Sequence, residues 1–451
     1  MHTRPTWAEV SLAALRHNYR LVRDYMAGGY AEMMPVVKAD AYGHGAEACA
    51  KALKEEGTSW FAVTCASEGL ALRFAGIEGR ILLLSGFFPG EERQLIEQRL
   101  TPAVWDKAHL DALETTAGTK RGRKKTFKTV PQERLSKIQV HLKVDTGMGR
   151  LGVRLEELPV LLQHFRRLTH LELEGVFSHY AAAEVIDSPQ AEAQEKNFEE
   201  ALKMVRDSGF DPAYVHMANS AGFIHMKSLH FPVGKVLVRP GIALYGYGLP
   251  IVTAAGNRVA GFTIGPAPFR AVSGGSESLG SSQKEERQRW AEKFRESYKL
   301  PAGQRQELVD EFRNSHSLKP VLTWKTRVMQ VKRFGAGQAL GYSGTFVTTR
   351  PSTIAALPVG YADGVNRLLS NKGRVIVRDS YAPIVGRVSM DITLVDVTDV
   401  DRVSVADEVI IIGRSKQCRI DAWEHAYHCD TIPYEILCNI SKRVPRVHVE
   451  E

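Results

Sequence analysis

A lysine ends the short apolar run Met34-Pro-Val-Val-Lys38, and the turn-prone stretch Ala39-Asp-Ala-Tyr-Gly-His-Gly45 follows it. At the end of a strand such a lysine stands at the mouth of a sheet. Burial there lowers the pKa of an amine and turns it into a usable nucleophile or base. A Schiff base with a carbonyl cofactor is one use of such an amine. The other reading is a strand-end lysine that points into solvent, and this segment alone leaves both open. Polar residues recur at the ends of other apolar runs, in Lys143-Val-Asp-Thr-Gly-Met-Gly-Arg150, Ser178-His179-Tyr180, His216-Met-Ala-Asn219-Ser220 and Arg239-Pro-Gly241-Ile242.

The elements that must position these residues alternate. Strand-like runs cover Met33–Lys38, Trp60–Thr64, Arg80–Leu84, Leu100–Val104, Ile138–Val144, Leu173–Ser178, Ala213–Met217 and Lys235–Val238. Helical patterns lie between them, at Ala46–Glu56, Glu91–Arg99, Leu155–Arg167 and Ala191–Ser208. Strands alternating with helices predict a parallel α/β sheet, and eight such units favour a closed (β/α)8 TIM-type barrel over residues 11–250. In that architecture the chemistry sits at the C-terminal ends of the strands, where the polar residues fall. Gly335 and Gly337 begin a glycine pattern whose third member, Gly341, is one residue too far for dinucleotide binding and lies outside the alternating region. Residues 251–318 read as an insertion or linker, with the Gly- and Ser-rich run 274–282 and charged helical patterns at Gln283–Leu300 and Gln304–Phe312. From 319 to 451 the chain is strand-rich and helix-poor, with runs at Leu322–Val331, Thr353–Val359, Arg374–Val377, Ile384–Val388, Thr393–Val397 and Glu408–Ile412. That predicts a C-terminal mostly-β domain, which residues 1–10 join if Trp7–Ser11 supplies an edge strand.

Loops after the seventh and eighth strands of such barrels commonly bind phosphate through backbone N–H groups. Ser220 and Gly241 stand there, and Tyr42 adds a phenol donor from the loop after strand one. Ser220 also reads as a helix N-cap, a role compatible with phosphate binding. A phosphate site opposite a strand-end lysine points to pyridoxal 5′-phosphate.

The bulk properties exclude several classes. No apolar run is long enough to span a membrane, and the N-terminus lacks the basic-then-apolar layout of a signal peptide. The five cysteines have no Cys-x-x-Cys spacing, which argues against a zinc site or a disulfide framework and fits a reducing cytoplasm. The net charge of +8 is concentrated between Lys120 and Lys137, a single basic run that reads as a solvated loop rather than a specific nucleic-acid surface.

The segment 36–45 resembles the cofactor-lysine signature of the alanine racemase family. The similarity continues in family order through 142–152, Met217-Ala-Asn-Ser220, Val238-Arg-Pro-Gly-Ile-Ala-Leu-Tyr-Gly246, Gly341-Tyr-Ser-Gly344, Pro358-Val-Gly-Tyr-Ala-Asp-Gly364, Val385-Gly-Arg-Val-Ser-Met-Asp391, Tyr434-Glu435 and Arg443-Val-Pro-Arg446. The resemblance implies that Lys38 holds pyridoxal phosphate covalently. It implies that Tyr42, Asn219, Ser220, Gly241, Ile242 and Tyr434 surround the cofactor, most of them at its phosphate, and that Arg239 faces its ring nitrogen. It further implies that Tyr342 comes from a second subunit to oppose Lys38, with Met390 and Asp391 crossing the same homodimer interface. Arg150 would orient the substrate carboxylate, Lys143 would be a carbamylation site, and Tyr361 would line the substrate entrance.

Racemisation requires a proton to leave one face of Cα and another to arrive at the opposite face. The resemblance implies that Lys38 and Tyr342 are the two bases, and His179, bonded to Arg239, would bias the tyrosine towards its anion. The implied activity is interconversion of L- and D-alanine, supplying D-alanine for peptidoglycan. A broader amino-acid racemase, a related decarboxylase and a non-catalytic cofactor-binding barrel are the alternatives. Taken alone, His179 also reads as a core histidine, Tyr342 as a turn tyrosine and Met390-Asp391 as a strand junction.

Overall fold

The computed structural model describes residues 4–25, 31–119, 137–185, 188–222, 234–248, 251–252, 258–260 and 318–451. The basic run over residues 120–136, and the linker and helical patterns expected between 261 and 317, lie outside the described residues.

Eight parallel strands form the N-terminal unit: β2 (Ala31–Met33), β3 (Trp60–Val63), β4 (Arg80–Leu83), β5 (Thr101–Val104), β6 (Ile138–Asp145), β7 (Leu171–Phe177), β8 (Tyr214–His216) and β9 (Lys235–Val238). Each pairs with its sequence neighbour from β3 to β9, and β9 returns to pair with β2. A bridge between Val36 and Ala62 closes the ring. Their side chains are almost continuously buried, as strands covered on both faces require. Helices on the outside include α1 (Leu12–Tyr25), α2 (Ala46–Glu55), α3 (Ala66–Phe74) and α4 (Pro189–Asp207). The last is capped by Ser188, whose hydroxyl accepts from the Ala191 N–H.

The first barrel strand is shorter than expected. Its regular part ends at Met33, because Pro35 has no N–H to give the ladder. Pairing nevertheless continues on both sides, with Val36 N donating to Pro240 O and Val37 N to Ala62 O. Lys38 is therefore not a strand residue; it opens a turn beyond the last paired residue.

The C-terminal unit is built on a mixed sheet in which β1 (Trp7–Ser11) lies between Leu322–Arg327, antiparallel to it, and Arg446–Val449, parallel to it. The N-terminal strand thus joins this sheet as an interior strand, not as its edge. A second sheet pairs Gln330–Phe334, Ser352–Leu357 and Thr393–Asp396. The expected strand at 322–331 is two strands, broken at Val328-Met329 where the chain passes from one sheet to the other. The expected strand at 384–388 is only a bridge at Ile384, because Gly386 adopts φ 73° and interrupts the extended run. Two short helices, Ala422–His428 and Pro433–Cys438, were not expected.

Arg446 joins the two units. Its guanidinium donates to the carbonyls of Ser441, Val444 and Ile440 in its own unit and of Gly43 in the Lys38 turn, at 2.6–2.7 Å. Replacing Arg446 by Met leaves these carbonyls without their donor. We expect a loss of about 2–4 kcal/mol in unfolding free energy, read as a lower urea midpoint of the full-length protein.

Candidate active site

Ala39, Asp40, Ala41 and Tyr42 all adopt φ of 50–55°, so Lys38 is followed by a full left-handed turn. For L-residues this costs about 1–2 kcal/mol each, and it persists because the surroundings over-determine it. Glu68, near the start of α3, accepts from Ala39 N and Thr64 N at 2.7 Å. The Asp40 carboxylate accepts from Ala46 N at 2.7 Å, and buried His44 bonds through Nδ1 to the carbonyls of Ala41 and Tyr42 at 2.9 Å. The result is that Lys38 and Tyr42 leave one short turn at the barrel mouth. Burial pulls the Lys38 amine below its ordinary value, assisted by the charge of Arg150.

Across the mouth, Ser220 Oγ accepts from Gly241 N at 2.8 Å and from Ala243 N at 3.4 Å. Beside it, Asn219 Oδ1 accepts from Ala221 N and Gly222 N, and the helix expected after Ser220 would fall on residues 223–233, outside the described residues. With both acceptor sites filled, the Ser220 hydroxyl retains only its donor function. A Cβ on Gly241 would lie 2.5 Å from Tyr42 Oη, so only glycine permits this approach. Ile242 follows directly and is buried. The ring of Tyr434, on Pro433–Cys438, lies 5.8 Å from that of Tyr42, and burial pushes both phenols up, keeping them protonated. The Tyr42 and Ser220 hydroxyls at the Gly241 approach, with Tyr434 beside Tyr42, fit a phosphate group.

Arg239 is the central cation. Buried at the end of β9, it donates to Ser178 O at 2.7 Å, Met217 O at 2.9 Å, His179 Nδ1 at 3.1 Å and His216 Nδ1. Burial lowers its pKa to about 9, still above neutral, so it remains a cation and purely a donor. It holds His179 well below its ordinary value after burial has done the larger part, which leaves that ring neutral with its proton on Nε2. Lys143, at the end of β6, is brought down to about 8 by burial and then by Arg239, Arg150 and Lys38. The loop carrying Arg150 is organised by the Asp145 carboxylate, which accepts from the N–H groups of Gly147, Met148 and Gly149.

The remaining sequence-derived residues lie elsewhere. Tyr342 is 71% exposed, Met390 53% and Tyr361 43%, and Asp391 is also exposed. The last three form one patch, with Tyr361 N bonded to Ser389 O, Ala362 N to Met390 O, and Asp391 paired with Arg443 at 2.8 Å. Among the described residues no hydrogen bond ties Tyr342 to the barrel mouth. His216, Glu68 and Tyr245, whose ring lies 5.0 Å from that of Tyr42 and whose hydroxyl donates to Val36 O at 3.0 Å, are site residues that sequence reasoning gave no role. His216 did stand at a strand end beside the assigned residues, and that position was the available signal.

His44, His141 and His425 are buried, and burial is the main reason their pKa values fall to about 4, about 3 and about 4. The folded state favours the neutral rings, while the unfolded chain takes up protons from its ordinary value of 6.5. Stability is therefore complete above that value and is lost as pH falls towards 4, by up to about 1.4 kcal/mol per pH unit for each ring. The urea midpoint should fall steeply across this window, and a midpoint independent of pH there would show that these rings are not held neutral.

The chain matches the family described as alanine racemase, N-terminal domain, over residues 10–248, and alanine racemase, C-terminal domain, over residues 321–448. The alanine racemase of Geobacter sulfurreducens is 36% identical over 453 residues, covering 100% of this chain and 98% of its own. That of Symbiobacterium thermophilum is 38% identical over 445 residues, covering 99% and 97%. Among solved structures, the Bacillus anthracis alanine racemase with bound L-Ala-P superposes with a TM-score of 0.75 at 29% identity, covering 99% of this chain and 95% of that one. The Bartonella henselae enzyme with covalently bound pyridoxal phosphate gives 0.71 at 27% identity, covering 99% of each. With both units matched over nearly their whole length, this chain belongs to the alanine racemase family.

Proposed function

We propose that the chain is a pyridoxal-phosphate-dependent alanine racemase that interconverts L- and D-alanine. The observation that carries this reading is the barrel mouth itself. A lysine with a lowered pKa, the Tyr42 and Ser220 hydroxyls at the Gly241 approach with Tyr434 beside Tyr42, and a buried guanidinium that has no carboxylate partner among the described residues converge there. Tyr42, Ser220, Gly241, Ile242 and Tyr434 would hold the phosphate, Arg239 would face the ring nitrogen, and Lys38 would hold the cofactor covalently. When bound, pyridoxal phosphate draws electron density from Cα of an amino acid and makes its proton removable.

Lys38, freed by substrate, takes or returns the proton on one face of Cα. Tyr342 of a second copy serves the opposite face. A phenol ordinarily ionises near pH 10 and needs help, which the Nε2 proton of His179 can give by donating to the phenolate. Arg239 has only donors and would not readily give a proton to the ring nitrogen that it would face. Arg150 binds the substrate carboxylate, and Tyr361, Met390 and Asp391 of the second copy border the entrance. A free Lys143 amine can add CO2, forming an N–C bond and losing a proton. The carbamate would place an anion among the cations that crowd this position.

The exposure of Tyr342, Met390 and Tyr361 supports a homodimer whose sites are shared. Among the described residues no helix is long and apolar enough to cross a membrane. In this reading the enzyme is cytoplasmic and supplies D-alanine for peptidoglycan.

Purified protein should show the absorbance of bound cofactor and interconvert the alanine enantiomers. Lys38→Ala should lose both, whereas Tyr342→Phe should keep the colour and lose turnover with L-alanine. Full racemisation by Tyr342→Phe would refute the two-base assignment. Mixing the two inactive variants should restore activity, because hybrid dimers contain one intact shared site. No recovery after subunit exchange would refute sharing.

A further inference from the structure

We propose that His141 and Glu174 are positioning residues for Arg239. They hold His216 in the one tautomer that accepts a hydrogen bond from the guanidinium, and so keep that cation aimed at the cofactor ring. The inference rests on the cofactor reading given above.

The argument starts from a donor that cannot become an acceptor. Arginine offers only N–H groups, so the His216 Nδ1 that faces Arg239 Nη1 must present its lone pair. A neutral His216 then carries its proton on Nε2. That atom lies 2.8 Å from His141 Nδ1, which must therefore accept. The proton of His141 is left on Nε2, which lies 3.5 Å from Glu174 Oε2. Both of these atoms are buried and, among the described residues, have no hydrogen-bond partner; the 3.5 Å between them is an ion-pair contact in which the carboxylate favours the proton on the nitrogen that faces it. Glu174 Oε1 pairs in turn with Arg80 at the first residue of β4. Both hydrogen bonds in this line point the same way, inwards from the guanidinium at the barrel mouth, and the Glu174 carboxylate lies beyond them in contact with His141 Nε2.

The barrel is built to house the line. His141, His216 and Glu174 are all within 4% of complete burial. The β6–β7 register shifts between Val140 and His141, which sets His141 opposite Gly175. A Cβ at Gly175 would lie 2.5 Å from the His141 ring, so the imidazole occupies the space of a missing side chain. The Phe177 ring stacks on His216 at 4.6 Å and 8°. Trp60 and Tyr214 enclose the far end, with Arg80 over both rings. The charged and titratable groups facing the two histidines are Arg239, Lys143 and His179 on the mouth side, and Glu174, Arg80 and Tyr214 on the other. Burial and these cations hold both rings neutral. A neutral ring without a fixed acceptor could place its proton on Nδ1, against Arg239. His141 prevents this, and Glu174 prevents the same reversal in His141.

The test uses the full-length holoenzyme, labelled with 15N in its histidine rings. His216 should be neutral with its proton on Nε2 from about pH 6 to 9, well above its depressed titration range. His141→Leu removes the acceptor and should release that tautomer. It should also move the pH profile of kcat/KM and any titration of the cofactor absorbance by about one unit or more, a tenfold effect at fixed pH. His141→Asn, whose amide oxygen can replace the Nδ1 lone pair, should restore the wild-type profile. Glu174→Leu should act in the same direction as His141→Leu. A wild-type His216 that is protonated on Nδ1, or charged at neutral pH, would overturn the proposal without any variant having to fold. So would a His141→Leu protein that is only less heat-stable, with tautomer and pH profile unchanged. Wild-type protein lacking cofactor absorbance and turnover would refute the proposed function instead, and the ring resonances would still decide the tautomer.

Discussion

The constraint on which the site depends is a buried guanidinium that, among the described residues, has no carboxylate against it. A cation taken out of water is tolerated only where its donors find partners. Arg239 finds two carbonyls and two imidazole lone pairs, from the ends of two different barrel strands. The carbonyls are supplied by the backbone whatever the protonation state. The imidazoles serve only while neutral and correctly oriented. Neutral histidines are therefore a condition of the fold as well as of the chemistry, and burial, which penalises their charged forms, enforces it.

A second cost is borne by the Lys38 turn. Four successive residues in the left-handed region are unfavourable, and no local preference of alanine or tyrosine would produce them. The turn exists because groups from several elements close on it: Glu68 from the barrel, Asp40 and His44 from the turn itself, and Arg446 from the C-terminal sheet. The C-terminal unit thus helps to shape the cofactor end of the site within one chain, apart from whatever it contributes to a second chain.

The assigned residues divide into two groups by burial. Those at the barrel mouth, together with Tyr434, are tied to one another by short bonds or ring contacts, or act on one another through charge. Tyr342, Tyr361, Met390 and Asp391 stand exposed on the other unit. An exposed tyrosine has no means of meeting a buried substrate unless something covers it. This division is why the proposed mechanism is completed by a second copy rather than by closure of a single chain.

The sequence by itself determined the alternation of strands and helices in the barrel and the strand-rich character of the C-terminal unit. Runs such as Trp60–Val63 and Lys235–Val238 are legible because a strand buried on both faces must be apolar throughout. Motifs carried the identities of Lys38, Ser220 and Arg239 because polar residues at strand ends have few structural reasons to be there. The helices Ala422–His428 and Pro433–Cys438 are too short for periodicity to reveal. The break at Pro35 was visible, but not the pairing that continues past it. Only the tertiary structure decided the left-handed turn, the seating of Ser220 Oγ on the Gly241 N–H, and the line from Arg239 to Glu174. Each depends on partners distant in the chain, such as His141 and His216, 75 positions apart. Their meeting is set by strand register, and register is a property of the closed barrel rather than of either segment.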